Sequence, residues 1–303
     1  MGSFFAFFVV YSMMKKITLF TILFFLLWVS CVFAFPKRIM SLSPVATEIL
    51  FALGEGEHIV GVTRFCDYPK EALKKPVLCD FAEINYETIL RANVDLVVLQ
   101  DMHQQATEDL QALGIKYVIV RQNSIKEIMN SIMTLGRICG KENRAKNIVN
   151  KMQTQITEIK KKVHRNRKTK SVLVCVSRDV NEEEIYNFYA AGSNVFYNEL
   201  LEIAGARNVL CESPIQYPLM TIDGLMMLKP DVIFDLVGDV EMKNKSFSTT
   251  KFNVERIRQV WEKSLIGKNL NLQVIPLIGT KYLRPGPRIV EILQAMYDVL
   301  YSD

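Results

Sequence analysis

Aromatic and polar side chains gather after the apolar stretches of this chain, and these residue types suit the binding of a ligand. The apolar stretches have the pattern of buried parallel strands, whose carboxyl ends face the ligand crevice of an open sheet. Flat rings with an arginine suit a large, partly planar and partly anionic ligand. The first half of the chain contributes Phe65, Asp67, Tyr68, Phe81, Gln100 and His103, and the second half contributes Tyr189, Tyr217, Thr280, Tyr282 and Arg284.

The residue patterns of common catalytic sites are missing from the sequence. It has no nucleophile elbow, no P-loop and no glycine-rich segment with dinucleotide-binding spacing. Its histidines, His58, His103 and His164, lie far apart, which argues against a metal site built on histidine. His103 falls in a predicted strand-to-helix loop, where it could contact a ligand or be a solvated loop residue.

A segment that occurs twice predicts two similar lobes. Residues 85–98 and 221–234 each contain an acid, a short helix with apolar spacing, and an Asp that leads into an apolar strand. In both copies the two acids are eight positions apart, as Glu87 and Asp95 show in the first copy. Two lobes side by side form a cleft, and small molecules bind in clefts.

The alternation of strands and helices predicts an α/β fold with two Rossmann-like lobes, each built on a parallel sheet. One long rigid α-helix, predicted over residues 141–163, joins the lobes. Its apolar positions form a narrow stripe on a polar rod about 35 Å long. They are Ile148, Met152, Ile156, Ile159 and Val163. The predicted divisions are 35–122 for the N-terminal lobe, 123–168 for the connecting helices and 169–303 for the C-terminal lobe.

The first 34 residues have the pattern of an export signal. Lys15 and Lys16 precede the almost wholly apolar stretch 17–32, and cleavage before Phe35 fits the small-residue rule. An uncleaved membrane anchor and lipid attachment at Cys31 are the alternatives. We therefore expect an extracytoplasmic, periplasmic-type protein. Without these two lysines the formal charge falls from +5 to +3, too little to indicate nucleic-acid binding.

Two further patterns leave alternatives open. The basic run from Lys160 to Lys170 contains no aromatic residues, which favours a solvated helix end over a nucleic-acid or lipid patch. Cys66 and Cys79 flank one predicted loop region and could form a disulfide, which the sequence alone does not show.

The sequence resembles the periplasmic substrate-binding proteins of ABC importers for vitamin B12 and iron chelates, whose lobes are joined by a helical backbone. The resemblance covers residues 37–303. Within this family, the sequence is similar in pattern to the cobalamin-binding members. The matching segments are 38–48, 60–63, 67–69, 274–277 and 284–289, together with the repeated "KPDLV" element at 93–97 and 229–233.

The resemblance implies which residues would contact the ligand. The family's aromatic ligand positions fall on Phe65, Phe81, Gln100, Tyr189 and Tyr217. Its arginine falls on Arg284, and a nearby aspartate position is Thr280 here. Three tryptophans of the cobalamin-binding pattern are replaced by Phe81, Gln100 and Tyr217.

The resemblance also implies a function and a partner. A monomer would capture a corrinoid or ferric chelate as cargo, with no cofactor or resident metal, and would deliver it to an ABC permease. Glu87 and Asp223 match the acids that dock onto the permease in this family. The alternatives are a carrier of haem, of a free metal ion or of an oxyanion, and a chelate-processing enzyme.

Overall fold

The computed structural model describes residues 14, 15, 18, 35–79, 84–163, 169–238, 240–243, 246–249, 253–265 and 272–301. Contacts divide the chain into Met1–Phe35 and Pro36–Asp303. In the first unit the Thr18 hydroxyl donates to the Met14 carbonyl (2.8 Å), and most of the predicted export signal lies outside the described residues. No helix within the described ranges combines the length and apolarity needed to cross a membrane.

The first lobe is built on a parallel sheet in the order β3-β2-β1-β4-β5. The strands are β1 (Ile39–Ser41), β2 (Ile59–Thr63), β3 (Val77–Cys79), β4 (Leu96–Gln100) and β5 (Tyr117–Val120). The helices of this lobe are α1 (Pro44–Leu53), α2 (Tyr86–Arg91) and α3 (Ala106–Ala112), with 3-10 turns at Gly56–His58, Lys70–Lys74 and Asp101–His103. Because β1 lies between β2 and β4, the strand order reverses at β1, where such folds open a crevice.

Ser43, Pro44 and Gly54 begin and end helix α1. The Ser43 hydroxyl accepts from the Ala46 amide, Pro44 occupies the first turn, and Gly54 ends the helix at φ 85°. Its buried face is apolar except for Thr47 and Glu48, so a carboxylate is carried into the interior.

The second lobe has a mixed sheet in the order β13-β10-β6-β7-β9, with β8 paired to β6. The strands are β6 (Lys170–Ser177), β7 (Asn187–Ala190), β8 (Ala206–Asn208), β9 (Leu219–Thr221), β10 (Val232–Val237) and β13 (Gln273–Ile278). The strands β11 (Val240–Lys243) and β12 (Ser246–Thr249) form a separate antiparallel hairpin. The prediction of parallel strands holds for β6, β8, β10 and β13, whereas β7 and β9 run antiparallel to their neighbours.

Helices α4 (Ile125–Ile138) and α5 (Glu142–Lys162) connect the two sheets. The predicted rod corresponds to α5, whose buried face is formed by Ala145, Val149, Met152, Ile156 and Ile159, so three of the five predicted stripe positions are buried. Gly136 of α4 lies against Ala145, where an added Cβ would come within 2.4 Å of the alanine methyl. The close crossing of α4 and α5 therefore requires glycine there.

The remaining helices cover the second sheet. They are α6 (Phe196–Ile203), α7 (Ile222–Leu228), α8 (Val254–Ser264) and α9 (Ile289–Tyr301). Helix α5 packs against α4, α6 and α9. One cluster of buried apolar side chains continues from α1 through α4 and α5 to α6 and α9, so both lobes share a core.

The repeated segment has the same structure in both lobes. Asn93 and Lys229 adopt left-handed φ angles of 47° and 46°. In each copy, the acid two positions later accepts hydrogen bonds at the start of a neighbouring strand. Asp95 accepts from the amides of Lys37 and Arg38, at 2.9 and 3.1 Å, just before β1. Asp231 accepts from the amide and the hydroxyl of Ser171, both at 2.7 Å, in β6.

Among the described cysteines, none forms a disulfide. Cys66 and Cys79 are therefore not joined to each other in this structure. The Cys66 sulfur lies 3.1 Å from the Thr47 hydroxyl, and the Cys79 sulfur accepts from the Asn85 amide at 3.4 Å.

A buried ion pair involves Asp235 in the second sheet. Asp235 of β10 accepts at one oxygen from Arg178 Nε and Nη2, at 3.0 and 2.8 Å, and from Trp261 Nε1 at 2.8 Å. The Arg178 and Asp235 side chains are only 2% and 0% exposed. The pair is therefore shielded from solvent, and each charge depends on the other.

Replacing Asp235 by Ala would leave the Arg178 charge buried without a counter-charge. We expect a loss of about 3–5 kcal/mol in the free energy of unfolding, measured by urea denaturation. Glu212→Ala, which removes the acid of the exposed Arg207–Glu212 pair, is the control and should cause no measurable change. A loss for Asp235→Ala as small as that of the control would contradict this account.

Candidate functional site

The carboxyl ends of β1 and β4 bring Ser43 and Gln100 together at the strand-order reversal. The Ser43 hydroxyl donates to Gln100 Oε1 at 3.0 Å, and Gln100 is buried. Its amide nitrogen Nε2 lies 3.1 Å from the Met102 sulfur, a weak acceptor. Gln100 therefore keeps a donor that a better acceptor would attract.

His103 lies at the same edge and is buried, so the solvated-loop alternative is wrong. Its Nδ1 accepts from the Gln100 amide at 3.4 Å, which fixes the turn after β4. A contact between His103 and a ligand stays a prediction. Phe65 follows β2 and is half-buried, while Phe81 lies outside the described residues.

The second sheet brings Tyr189, Tyr217 and Thr280 to the carboxyl end of β6, β10 and β13. Tyr189 of β7 pairs with Ser177, the last residue of β6, and with Leu219 of β9. Tyr217 comes two residues before Leu219, and Thr280 follows β13. Tyr189 and Tyr217 are 47% and 42% exposed, so both rings are accessible at this edge.

Two ion pairs join the edges of the two lobes. Arg284, in the segment after β13, donates to Asp67, in the loop after β2. Arg288 donates to both carboxylate oxygens of Glu48 in α1, with Nε 2.9 Å and Nη2 2.5 Å away. The Arg288 guanidinium also lies 3.6 Å from the centre of the Tyr68 ring. These contacts place the carboxyl-end edges of the sheets opposite each other.

All four charges are largely removed from solvent. The exposed fractions of the side chains are 12% for Arg284, 8% for Asp67, 15% for Arg288 and 2% for Glu48. The second oxygen of Asp67, Oδ2, is buried and has no hydrogen-bond partner within the described part of the chain.

Burial changes the acidity of these groups. Burial lowers the pKa of Arg284 to about 10, against the opposing effect of Glu48, so this guanidinium stays charged at neutral pH. Burial raises the pKa of Glu48, although Arg288 opposes the change. Burial also raises the pKa of the Cys66 thiol, which keeps it protonated and weakly nucleophilic at neutral pH.

Glu48 and Arg288 were not among the predicted ligand-binding or docking residues, whereas Asp67 belongs to the polar and aromatic group predicted to gather after the strands. Glu48 carried a signal in the sequence, because it is the only charged residue between Arg38 and Glu55 and lies in an apolar helix. A buried acid needs a cationic partner. Its partner lies 240 positions away, which local spacing does not reveal.

Glu87 and Asp223 occupy equivalent surface positions in the two lobes. Each lies in the first turn of its helix, α2 or α7, two residues after the N-cap, and each is exposed. Glu87 also pairs with Arg91 at 2.7 Å. Both acids therefore remain on the surface, where a partner can reach them.

The arrangement offers aromatic faces, neutral amides and hydroxyls, and matched charges, which suit binding. Within the described residues, no three His, Cys, Asp or Glu side chains form a group that could hold a metal ion.

Comparisons with known proteins agree with this architecture. A model of the family described as periplasmic binding protein matches residues 39–248. An ABC transporter substrate-binding lipoprotein, YvrC of Bacillus subtilis, is 29% identical over 88% of this chain and 81% of that protein. A vitamin B12-binding protein of Photorhabdus laumondii is 24% identical over 85% of this chain and 86% of that protein.

A solved structure has the same fold. It is described as a possible iron-binding, periplasmic solute-binding protein from Staphylococcus epidermidis. It superposes with a TM-score of 0.66 and 27% identity, covering 89% of this chain and all of that chain.

The raised pKa of Glu48 predicts a pH dependence of stability. The folded protein binds a proton at Glu48 more readily than the unfolded chain does. The stability contributed by this proton is present below the ordinary pKa of 4.5 and is lost as pH rises through the raised value. The free energy of unfolding of the wild type, minus that of Glu48→Gln, should therefore fall as pH rises from 4.5, and then level off.

Urea denaturation at several pH values would measure this difference. The matched control is Glu212→Gln, in an exposed ion pair, for which the difference should stay nearly constant. A difference for Glu48→Gln that rises with pH would show that Arg288 outweighs burial.

Proposed function

Since the chain belongs to the periplasmic binding protein family, we propose that it captures a corrinoid or ferric chelate outside the cytoplasm and delivers it to an ABC permease. Members of this family are binding proteins for transport, and the chain is related to substrate-binding components of ABC transporters. The expected location is extracytoplasmic, through the export signal or a lipid anchor.

One observation carries this proposal: the carboxyl-end edges of two sheets face each other and are linked by Arg284–Asp67 and Arg288–Glu48. Around this junction, Phe65, Gln100 and His103 would contribute from the first lobe. Tyr189, Tyr217, Thr280 and Arg284 would contribute from the second lobe, and Phe81 is proposed from the resemblance alone. Aromatic rings next to polar side chains suit the binding of a large flat ligand.

The shared core and the two ion pairs support a cleft that changes little on binding. Helix α5 packs on both α4 and α9, and one apolar cluster spans the lobes. Opening the lobes would separate buried charges, which is costly. A nearly preformed site loses less free energy to ordering when cargo binds.

A fluorescence titration of the purified protein would test the carrier function. We expect saturable quenching by one class among cobalamin, cobinamide, haem and ferric siderophores, because cargo would lie against the aromatic rings of the cleft. Tight binding of haem would identify haem, one of the alternative cargoes, as the ligand. Binding only of free metal ions or oxyanions would exclude a corrinoid or ferric chelate, and chemical turnover of a bound chelate would indicate an enzyme.

The docking proposal assigns Glu87 and Asp223 to arginines of the permease. The double variant Glu87→Ala/Asp223→Ala should retain cargo affinity and abolish stimulation of the permease ATPase in reconstituted liposomes, because separated charges set orientation and register.

A matched control is Glu108→Ala/Glu255→Ala. It removes one exposed first-turn acid from each lobe, in α3 and α8. The control should stimulate the ATPase like the wild type. Stimulation by the Glu87→Ala/Asp223→Ala variant at the wild-type level would exclude the docking role.

A further inference from the structure

The junction between the lobes is balanced in charge. Arg284 is matched by Asp67 and Arg288 by Glu48, and all four side chains are largely buried. The nearby cation Lys281 is itself paired with Glu291 at 3.3 Å. Arg284, Arg288 and Lys281, the cations considered at this junction, therefore each have an acidic partner.

This balance penalises an anionic group at Arg284. A carboxylate on the cargo would either share the guanidinium with Asp67 or displace it. Displacement would leave the Asp67 carboxylate, only 8% exposed, without its counter-charge. Stranding a buried charge is strongly unfavourable, so anionic cargo would gain little at this arginine.

The same acid offers a vacant acceptor. Asp67 Oδ2 is buried and has no hydrogen-bond partner among the described residues, which is costly in a folded protein. A local shift of the loop after β2, with the lobes themselves in place, would let an N–H or O–H donor from the cargo reach and satisfy it while Oδ1 keeps its bond to Arg284.

Gln100 supplies the complementary group. Its Nε2 donates to the weak acceptor sulfur of Met102 and would gain by donating to a carbonyl. A primary amide carries both a donor and a carbonyl oxygen. The two vacancies at this edge thus match uncharged amide groups better than carboxylates.

Building on the proposed carrier function, we propose that Asp67 is a specificity residue that selects uncharged, amide- or hydroxyl-bearing macrocycles and disfavours anionic chelates. Arg284 acts here as the group that holds the Asp67 side chain in place. Among the cargo classes considered, an amide-decorated corrinoid fits this site, whereas haem with its propionates and anionic ferric chelates fit poorly.

The test compares cyanocobalamin, which is uncharged overall and rich in amides, with haemin and with anionic ferric enterobactin, by titration at neutral pH. The wild type should prefer cyanocobalamin. Asp67→Asn leaves Arg284 without its counter-charge. It should weaken the binding of cyanocobalamin about tenfold or more and strengthen the binding of haemin about tenfold. Asp109→Asn, the same change at an exposed acid bonded to Tyr86, should alter neither affinity.

A second variant keeps the test decisive if Asp67→Asn fails to fold. Asp67→Asn/Arg284→Gln removes both charges together and strands neither. This double variant should weaken the binding of cyanocobalamin without strengthening the binding of haemin. Thermal unfolding monitored by circular dichroism would establish that each variant is folded.

The outcomes separate the two proposals. Tight binding of haemin or ferric enterobactin in preference to cyanocobalamin would keep the carrier function and overturn only the role of Asp67. If the ratio of the cyanocobalamin affinity to the haemin affinity is unchanged in folded Asp67→Asn, the role of Asp67 is overturned too. Failure of all three probes to bind the wild type would overturn this inference, and failure of cobinamide and the other ferric siderophores as well would overturn the proposed carriage of a corrinoid or ferric chelate.

Discussion

A charge taken out of water needs an opposite charge beside it, and this constraint governs the junction between the two lobes. Glu48 enters the interior because α1 is otherwise apolar, and it is tolerated there because Arg288 contacts both of its oxygens. Asp67 and Arg284 repeat the arrangement one loop away. Each pair has one member in each lobe, so the requirement for neutrality also fixes how closely the two sheet edges approach.

The position of the site follows from the direction of the strands. Parallel strands deliver every following loop to one edge, and the edge of the first sheet faces that of the second across the ion pairs. In the second sheet, β7 runs antiparallel, yet its register with β6 still places Tyr189 beside Ser177 at the same edge. The cleft is thus assembled from loops far apart in the chain but held by neighbouring strands.

The repeated segment illustrates how one pattern serves two purposes. Its second acid, Asp95 or Asp231, is used inside each lobe, where it binds amides at the start of a strand. Its first acid, Glu87 or Asp223, stays on the surface at the start of a short helix. The spacing of eight residues therefore reflects the length of one helix and its left-handed exit at Asn93 or Lys229.

The sequence by itself predicted the alternating elements and the sheet edge at which the candidate site lies. Helix caps, apolar periodicity and the repeat are local signals, which is why α5 was predicted to within one residue of its observed bounds at each end. Only the tertiary structure decided which charges meet. Asp67 and Arg284 are 217 positions apart, and no local spacing encodes such a contact. The burial of His103 and the pairing of β7 and β9 were likewise set by packing, because they depend on neighbours that are distant in the chain.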